Sequence, residues 1–145
     1  TTTGYIGNGL FLENSDSNTT ELIGNITTEG NGADGVYLYT SNFNTTTLTG
    51  DITTAGSYAH GLHLENSDSN TTNLTGDITT TGYIGNGLFL ENSDSNIINL
   101  TGSLSATGAS SYAIDADSTS DNNTSSLTKA VKSLGVFIMT ARTTP

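Results

Sequence analysis

The sequence contains no cysteine or tryptophan and a single proline, and only three of its 145 residues are basic. Without cysteine, disulfides and thiolate chemistry are excluded. The three bases all lie near the C-terminus: Lys129, Lys132 and Arg142. The chain has 14 acidic residues, so its net charge is −11. Nucleic-acid binding needs a basic stripe that displaces counterions, and binding to an anionic membrane surface needs a polybasic segment. We therefore expect no nucleic-acid partner and no membrane contact of that kind.

Long apolar segments are also missing. No run approaches the roughly 20 residues of a membrane-spanning helix, so we expect no membrane insertion. Hydrophobic residues make up 32% of the chain and charged residues 12%, a composition that would by itself favour disorder. The apolar residues nevertheless recur at regular intervals, and this regularity favours a folded structure.

The recurrence is a repeat of 26 residues, with one extra residue in a degenerate fifth copy. The copies, called coils one to five, are residues 1–26, 27–52, 53–78, 79–104 and 105–131. Residues 1–18 and 79–96 are identical, which indicates a recent duplication. The chain begins in phase with the repeat and without a leader, so we expect a processed protein or part of a longer one. Internal repeats of this length predict stacked structural units.

Two segments in each coil alternate between apolar and polar residues. In coil one they are Leu10-Phe11-Leu12 and Leu22-x-Gly24-x-Ile26. This alternation predicts strands with one buried face, and no helical period appears before residue 125. A coil of two or three short strands cannot enclose a core alone, but stacked coils bury the same columns repeatedly. The sequence therefore predicts an all-β fold, a right-handed parallel β-helix (β-solenoid) of about five coils over residues 1–131.

Four aliphatic columns are expected to face the core. They are Leu10/Val36/Leu62/Leu88/Ile114, Leu12/Leu38/Leu64/Leu90/Ala116, Leu22/Leu48/Leu74/Leu100/Leu127 and Ile26/Ile52/Ile78/Leu104/Val131. A column of asparagines, Asn18/Asn44/Asn70/Asn96/Asn123, is expected to form a hydrogen-bonded ladder along the stack. Gly4 and its equivalents are expected at a bend with positive φ. Gly24 and its equivalents are expected to point inward, where a narrow core leaves no room for a side chain.

The segment from Leu74 to Ser93 carries a family resemblance. Its pattern, L-T-G-D-I-T-T-x-G-x-x-x-x-G-L-x-L-x-N-S, resembles the passenger domains of autotransporters and related bacterial surface adhesins. The resemblance covers residues 1–131 and implies a right-handed parallel β-helix that is secreted to the cell surface. Passengers include adhesins, stalks and a few enzymes, so the resemblance indicates compartment and architecture rather than activity.

An outward column on the first strand of each coil carries rings. Phe11, Tyr37, His63 and Phe89 occupy it, where polar side chains are typical. We expect either a contact surface for a host-surface glycan or protein, or stacking between coils that only stiffens the sheet. With the extracellular location that the resemblance implies, the first alternative predicts a surface-displayed rod with a structural or adhesive function.

Acidic residues recur at the next corner, where Glu-Asn-Ser-Asp-Ser-Asn appears three times. Glu65, Asp68, Glu91 and Asp94 of adjacent coils are weak candidates for a Ca²⁺ site, since Ca²⁺ takes oxygen ligands. The alternative is a row of solvated acids, and the calcium-repeat signature is absent. No other cofactor is expected.

Catalytic constellations are not evident. His60 and His63, the only two histidines, lie in one coil without a matching serine nucleophile or a set of metal partners. No phosphate-binding G-x-x-x-x-G-K-[ST] motif occurs. We therefore expect no enzymatic activity.

Residues 132–145 are predicted to be a capping or assembly segment. Val136, Phe137, Ile138 and Met139 belong to the most apolar run of the chain, which either covers the exposed strand edges or pairs with the next subunit. The second alternative predicts self-association into a filament. Ice binding is a third possibility, through the outward columns Thr49/Thr75/Thr101 and Thr27/Thr53/Thr79.

Overall fold

The computed structural model describes residues 1–133, which form a stack of five coils with three short strands each. The first strands are β1 (Leu10–Glu13), β4 (Val36–Tyr39), β7 (Leu62–Glu65), β10 (Leu88–Glu91) and β13 (Ile114–Ala116). The second strands are β2 (Thr19–Ile23), β5 (Thr45–Thr49), β8 (Thr71–Thr75), β11 (Ile97–Thr101) and β14 (Thr124–Leu127). The third strands are β3 (Ile26–Thr28), β6 (Ile52–Thr54), β9 (Ile78–Thr80), β12 (Leu104–Ala106) and β15 (Val131–Ser133).

Equivalent strands of successive coils pair in parallel and form three five-stranded sheets. The register follows the 26-residue repeat: Leu22 pairs with Leu48, and Leu48 pairs with Leu74. The extra residue of coil five shifts the pairing by one, so that Leu100 lies opposite Leu127. This confirms the predicted β-solenoid and its coil-over-coil superposition. All the elements of residues 1–133 are strands, so this part of the chain has no helix that could span a membrane.

The four predicted aliphatic columns meet in one core. In coils two to four their members are at most 4% exposed. Leu10, Leu12 and Leu22 of coil one are only partly buried, and Val131 in coil five is 43% exposed. Burial at each level of the stack therefore depends on the coils above and below it, as expected for a structure whose contacts are made between neighbouring repeats.

Threonines also line the interior, which the repeat pattern did not indicate. Thr28, Thr54 and Thr80 are fully buried, and their hydroxyls donate to backbone carbonyls of the following corner. Thr46 and Thr72 are buried as well, but their hydroxyls have no hydrogen-bond partner within residues 1–133. A buried polar atom without a partner costs free energy, so this column lowers the net gain from burial.

The prediction of positive φ at Gly4 and its equivalents was wrong. The residues with positive φ lie two positions later, at Ile6, Tyr58 and Ile84 among others. Glycine is needed in the Gly4 column because the coils approach one another closely there. A Cβ on Gly30 would lie 1.9 Å from the carbonyl oxygen of Gly4.

The inward placement predicted for the Gly24 column was also wrong. The segment from Leu22 to Ile26 is divided into two strands by a bend at Gly24. Gly24, Gly50 and Gly76 have φ values of 138°, 143° and 146°. A Cβ on Gly50 would lie 2.3 Å from the oxygen of Gly24. The backbone of the adjacent coil and the positive φ therefore require glycine, not a narrow core.

The asparagine ladder is confirmed, although most of its bonds join side chain to backbone. The backbone N–H groups of Asn18, Asn44 and Asn70 each donate to Oδ1 of the asparagine in the next coil, at 2.8 Å. The amide of Asn70 also donates to the Ser41 carbonyl at 2.9 Å. Each such asparagine therefore holds two neighbouring coils together. The predicted assembly residues Val136, Phe137, Ile138 and Met139 lie outside the described residues.

Candidate functional site

The predicted contact column is a stack of rings. Phe11 and Tyr37 have ring centroids 5.1 Å apart, Tyr37 and His63 4.5 Å, and His63 and Phe89 4.9 Å. The planes of the first two pairs are within 19° of parallel. Phe11 is 45% exposed, whereas the other three side chains are only partly accessible. Since the ring faces cover one another, this geometry favours stacking that stiffens the sheet.

A second column, at the corner before the first strand, joins the coils by hydrogen bonds. Oδ1 of Asn8 accepts the N–H of Asp34 at 2.7 Å, and Oδ1 of Asp34 accepts that of His60 at 2.6 Å. Nδ1 of His60 in turn accepts the N–H of Asn86 at 3.0 Å. His60 therefore takes the place that an amide or carboxylate oxygen has in the other coils.

The acceptor function of His60 fixes its protonation state. A nitrogen that accepts a hydrogen bond carries no proton, so the neutral ring has its hydrogen on Nε2. His60 is 6% exposed and its ring stacks on Phe89 with the centroids 4.6 Å apart. Burial lowers the pKa of His60 from 6.5 to about 4, and the nearby Asp34 only partly offsets this effect.

This depressed pKa predicts a loss of stability in acid. Below pH 6.5 the unfolded chain binds a proton at His60, whereas the folded chain does so only near pH 4. The free energy of unfolding should therefore fall by roughly 2–3 kcal/mol as the pH drops through this interval. In the His60→Asn variant, the asparagine Oδ1 can accept the N–H of Asn86, just as Oδ1 of Asn8 in coil one accepts the N–H of Asp34. Urea unfolding at several pH values should show a shallower acid slope for this variant, and equal slopes would contradict the assignment.

His63 is held by a carboxylate from the preceding coil. Its Nδ1 lies 2.9 Å from Oδ2 of Asp34. A carboxylate only accepts, so Nδ1 carries the hydrogen and Nε2 of the neutral ring has a free lone pair. Nε2 is buried and has no hydrogen-bond partner in the described part of the chain.

Two carboxylates lie beside His63. Glu65 and Glu91 are directly opposite one another on β7 and β10. One oxygen of each and one nitrogen of His63 lie within 4.8 Å of one another. The hydroxyl of Tyr37 donates to Oε2 of Glu65, and burial together with this carboxylate raises the pKa of Tyr37. The phenol therefore remains a donor at neutral pH.

The sequence interpretation that the histidines lack metal partners is wrong on geometry. Asp34, His60 and His63 form one cluster of potential ligands, and His63, Glu65 and Glu91 form a second. The signal was available in the 26-residue period, which places Asp34 one coil before His60. The residues of one coil do not reveal it, because the contacts of His60 and His63 with Asp34 run between coils.

The calcium candidates are divided by the structure. Glu65 and Glu91 are brought together, whereas Asp68 and Asp94 hold the corner. Oδ1 of Asp68 accepts the N–H of Asp94 at 2.7 Å, and Oδ1 of Asp94 accepts that of Asp121 at 2.6 Å. Within residues 1–133, neither aspartate belongs to a cluster of three or more potential ligands. A calcium site that uses all four acids stays a prediction.

An exposed aromatic corner was missed by sequence reasoning. Tyr5, Ile6, Tyr58 and Tyr83 occupy positions five and six of their coils and are 79%, 53%, 55% and 48% exposed. Ile6 and Tyr58 have φ values of 54° and 56°, which are uncommon for bulky residues. The rings of Tyr58 and Tyr83 meet edge to face at 5.8 Å. We call these four residues the tyrosine corner; their positions vary between coils, so no single column reveals them.

The two threonine columns considered for ice binding lie on different sheets. Thr49, Thr75 and Thr101 end the second strands, whereas Thr27, Thr53 and Thr79 lie in the third strands. The bend at Gly50 and its equivalents separates the two sheets. Asp51 and Asp77 follow that bend. Each donates its backbone N–H to Oδ1 of the equivalent residue in the preceding coil, Asn25 and Asp51 respectively. The two threonine columns therefore belong to two faces.

Comparisons with protein-family models, with curated proteins and with solved structures found no match for this chain. The β-solenoid of stacked parallel coils stands on its own geometry. The resemblance to autotransporter passengers rests on the repeat pattern.

Proposed function

We propose that the chain is a rigid structural rod displayed outside the cell, which makes adhesive contacts with host-surface glycans or proteins. The observation that carries the proposal is the exposed tyrosine corner on an otherwise tightly bonded stack. The resemblance of the repeat to surface-adhesin passengers supports the extracellular location. The net charge of −11 supports solubility and repulsion between neighbouring rods.

Rigidity follows from the way in which adjacent coils are joined. Coils two and three are joined by the backbone hydrogen bonds of the three sheets. At the corners between the strands, backbone N–H groups of coil two also donate to side chains of coil three. Ser41 donates to Ser67 Oγ at 3.0 Å and Asn44 to Asn70 Oδ1 at 2.8 Å. Bending at this junction would break several of these bonds together. A rod with such junctions can hold a contact surface at a fixed distance from its support.

The tyrosine corner has the chemistry of a recognition surface. Tyrosine offers a large apolar ring and a polar hydroxyl at a small cost in conformational entropy, which suits contacts with sugars and proteins. Ile6 and Tyr58 keep their side chains exposed in a backbone conformation that costs on the order of 1 kcal/mol or more. Coils one, three and four contribute, whereas coil two has Asn31 and Gly32 at these positions, so the tyrosine corner has two parts along the stack.

The test is to remove the exposed rings and measure binding. Tyr5→Ser, Tyr58→Ser and Tyr83→Ser are combined in one variant, and Phe43→Ser is the control because Phe43 is a 65% exposed ring at another corner. Binding is measured on a glycan array and on immobilised host-surface proteins. We expect the triple variant to lose at least about tenfold in affinity, equivalent to about 1.4 kcal/mol, while the control binds normally.

The other outcomes contradict the proposal in different ways. An equal loss in the triple variant and in Phe43→Ser would indicate nonspecific hydrophobic binding. Unchanged binding in the triple variant would exclude the tyrosine corner as the contact surface. If the unmodified chain binds nothing on either surface, the adhesive part of the proposal fails and the structural part remains.

Self-association end to end is a second candidate function, favoured by one observation. Residues 1–18 are identical to residues 79–96, which in coil four are covered by coil three. Leu88 and Leu90 are thereby at most 1% exposed, whereas the same residues in coil one, Leu10 and Leu12, are partly exposed. Coil one therefore presents a face that is known from this same chain to accept another coil.

Sedimentation velocity tests this second candidate. End-to-end stacking predicts species that lengthen as the protein concentration rises, because each addition buries the same face. A single monomeric species at all concentrations would contradict it. Binding to glycans or proteins is measured separately, so the two functions can fail independently.

A further inference from the structure

The two clusters of potential metal ligands differ in whether their ligand atoms are free. In the cluster of Asp34, His60 and His63, both oxygens of Asp34 accept hydrogen bonds. Nδ1 of His60 is occupied by the N–H of Asn86. These contacts, with that of His63 Nδ1 to Asp34, form a hydrogen-bond network that joins the coils and leaves neither oxygen of Asp34 and neither Nδ1 atom free for a metal.

The cluster of His63, Glu65 and Glu91 retains free lone pairs. His63 Nδ1 is bonded to Asp34, so Nε2 is the nitrogen left to act as a ligand, and it is buried without a partner among residues 1–133. Tyr37 occupies one oxygen of Glu65, which leaves the other available. Glu91 is exposed and opens the cluster to solvent. One carboxylate oxygen of Glu91, one of Glu65 and one ring nitrogen of His63 lie within 4.8 Å of one another.

The pairing of His63 with Asp34 is the arrangement in which proteins usually present a histidine ligand. A carboxylate that accepts from one ring nitrogen fixes the ring orientation and leaves the other nitrogen unprotonated and more basic. The two glutamates, being directly opposite, also repel one another, and a cation between them would offset this repulsion.

We propose that Nε2 of His63 and the carboxylates of Glu65 and Glu91 bind one divalent transition-metal ion, for which zinc is the probe. An imidazole nitrogen with two carboxylates suits zinc, whereas calcium takes six to eight oxygen ligands. Three protein ligands leave a coordination position for water or for an atom of a partner. Because Glu65 and Glu91 belong to coils three and four, the ion would also link these coils.

The repeat supplies a matched control for the site. Coil one contains the same Leu-Phe-Leu-Glu string as coil four, so Glu13 corresponds to Glu91. Glu13 lies opposite Tyr39, and Phe11 stands where coil three has His63. Coil one therefore has the acid without the rest of the proposed ligand set.

Zinc binding is measured by isothermal titration calorimetry near neutral pH. We expect one ion per chain, and a loss of affinity of at least about tenfold in Glu91→Gln and His63→Phe. Phenylalanine preserves the ring stack, since Phe11 and Phe89 occupy the same column. Glu13→Gln should bind zinc like the unmodified chain. Circular dichroism checks the fold, and the exposed Glu91 carries the test if His63→Phe does not fold.

Asp34→Asn tests the positioning of His63. Asn8 and Asn86 occupy the position of Asp34 in coils one and four, and each accepts the same corner hydrogen bond there. An asparagine at position 34 should therefore preserve the fold. In coil four, Nδ2 of Asn86 donates to Asp115, the residue in the His63 column. An asparagine at position 34 would likewise donate to His63 Nδ1 and move the ring hydrogen to Nε2. NMR of the ring nitrogens should show this change of tautomer, with a loss of zinc affinity of about 10- to 100-fold.

The proposal is overturned if His63→Phe and Glu91→Gln both bind zinc as tightly as the unmodified chain. It is also overturned if Glu13→Gln weakens binding as much as Glu91→Gln, because the acids would then bind the ion without the histidine. Calcium binding that matches zinc in affinity and persists in His63→Phe would restore an oxygen-only site in its place.

Discussion

Replacing Gly56 with alanine is expected to destabilise the stack by about 4 kcal/mol or more, whereas the same change at Gly4 should be neutral or slightly stabilising. A Cβ on Gly56 would lie 1.9 Å from the carbonyl oxygen of Gly30 and 2.4 Å from its carbon. At Gly4 nothing lies within 4 Å of the added atom. The two residues occupy the same column, so the difference isolates the contact between coils.

The effect should be large because neither side of the contact can move. The atoms that clash belong to the backbone, and the spacing of about 4.8 Å between coils is set by the three sheets. Overpacking by side chains, which can change rotamer, usually costs about 1–3 kcal/mol. Neither glycine has a positive φ, so backbone conformation does not confound the comparison. At Gly4, alanine restricts the unfolded chain and can add up to about 1 kcal/mol of stability.

Urea unfolding followed by circular dichroism measures the two variants, and hydrogen exchange locates the damage. Gly56→Ala should unfold at a much lower urea concentration and lose amide protection at the junction of coils two and three. Equal midpoints for Gly56→Ala and Gly4→Ala would mean that the coils are not as close as the structure has them.

The period of the sequence predicted the parts of the fold that repeat without change. A column such as Leu22, Leu48 and Leu74 must superpose if each coil has the same length, and the pairing of these residues follows. The asparagine ladder was predictable for the same reason. The structure also explains why the column contains only asparagine. The same side chain must accept a backbone N–H through Oδ1 and donate to a backbone carbonyl through Nδ2.

Corner geometry was not predictable from the period. Alternation of apolar residues from Leu22 to Ile26 continues through Gly24, but the chain bends there and the strand is divided. The pattern records which residues face inward and not where a sheet ends. The positive φ of Ile6 and Tyr58 is likewise invisible, because propensity argues against such residues in that conformation.

The candidate metal site combines predictable and unpredictable parts. That Glu65 lies opposite Glu91 follows from the period alone. The contact of His63 with Asp34 joins a strand to the corner of the preceding coil, 29 residues earlier, and it requires the path of that corner. The ring stack was anticipated as one of two alternatives, and only the exposed fractions of its members distinguish stiffening from recognition.

Replacing Asn70 with alanine is expected to cost about 4 kcal/mol, in contrast to less than about 1 kcal/mol for Asn18→Ala. Asn70 is 1% exposed; its Oδ1 accepts the N–H of Asn44, and its Nδ2 donates to the Ser41 carbonyl. Alanine removes both bonds and leaves the two buried backbone groups without these partners, at about 1–3 kcal/mol each. A cavity adds to the loss.

Asn18 is the matched control because it is exposed at the face of coil one. Among residues 1–133, its side chain makes two longer contacts, both at 3.2 Å, with the Asp16 carbonyl and with Oδ1 of Asn44. Its backbone N–H, which bonds to Asn44, is unchanged by the substitution. Urea unfolding should therefore separate the two variants by about 3 kcal/mol. Similar losses at both positions would show that the asparagines act within their own coil, and not as bonds between coils.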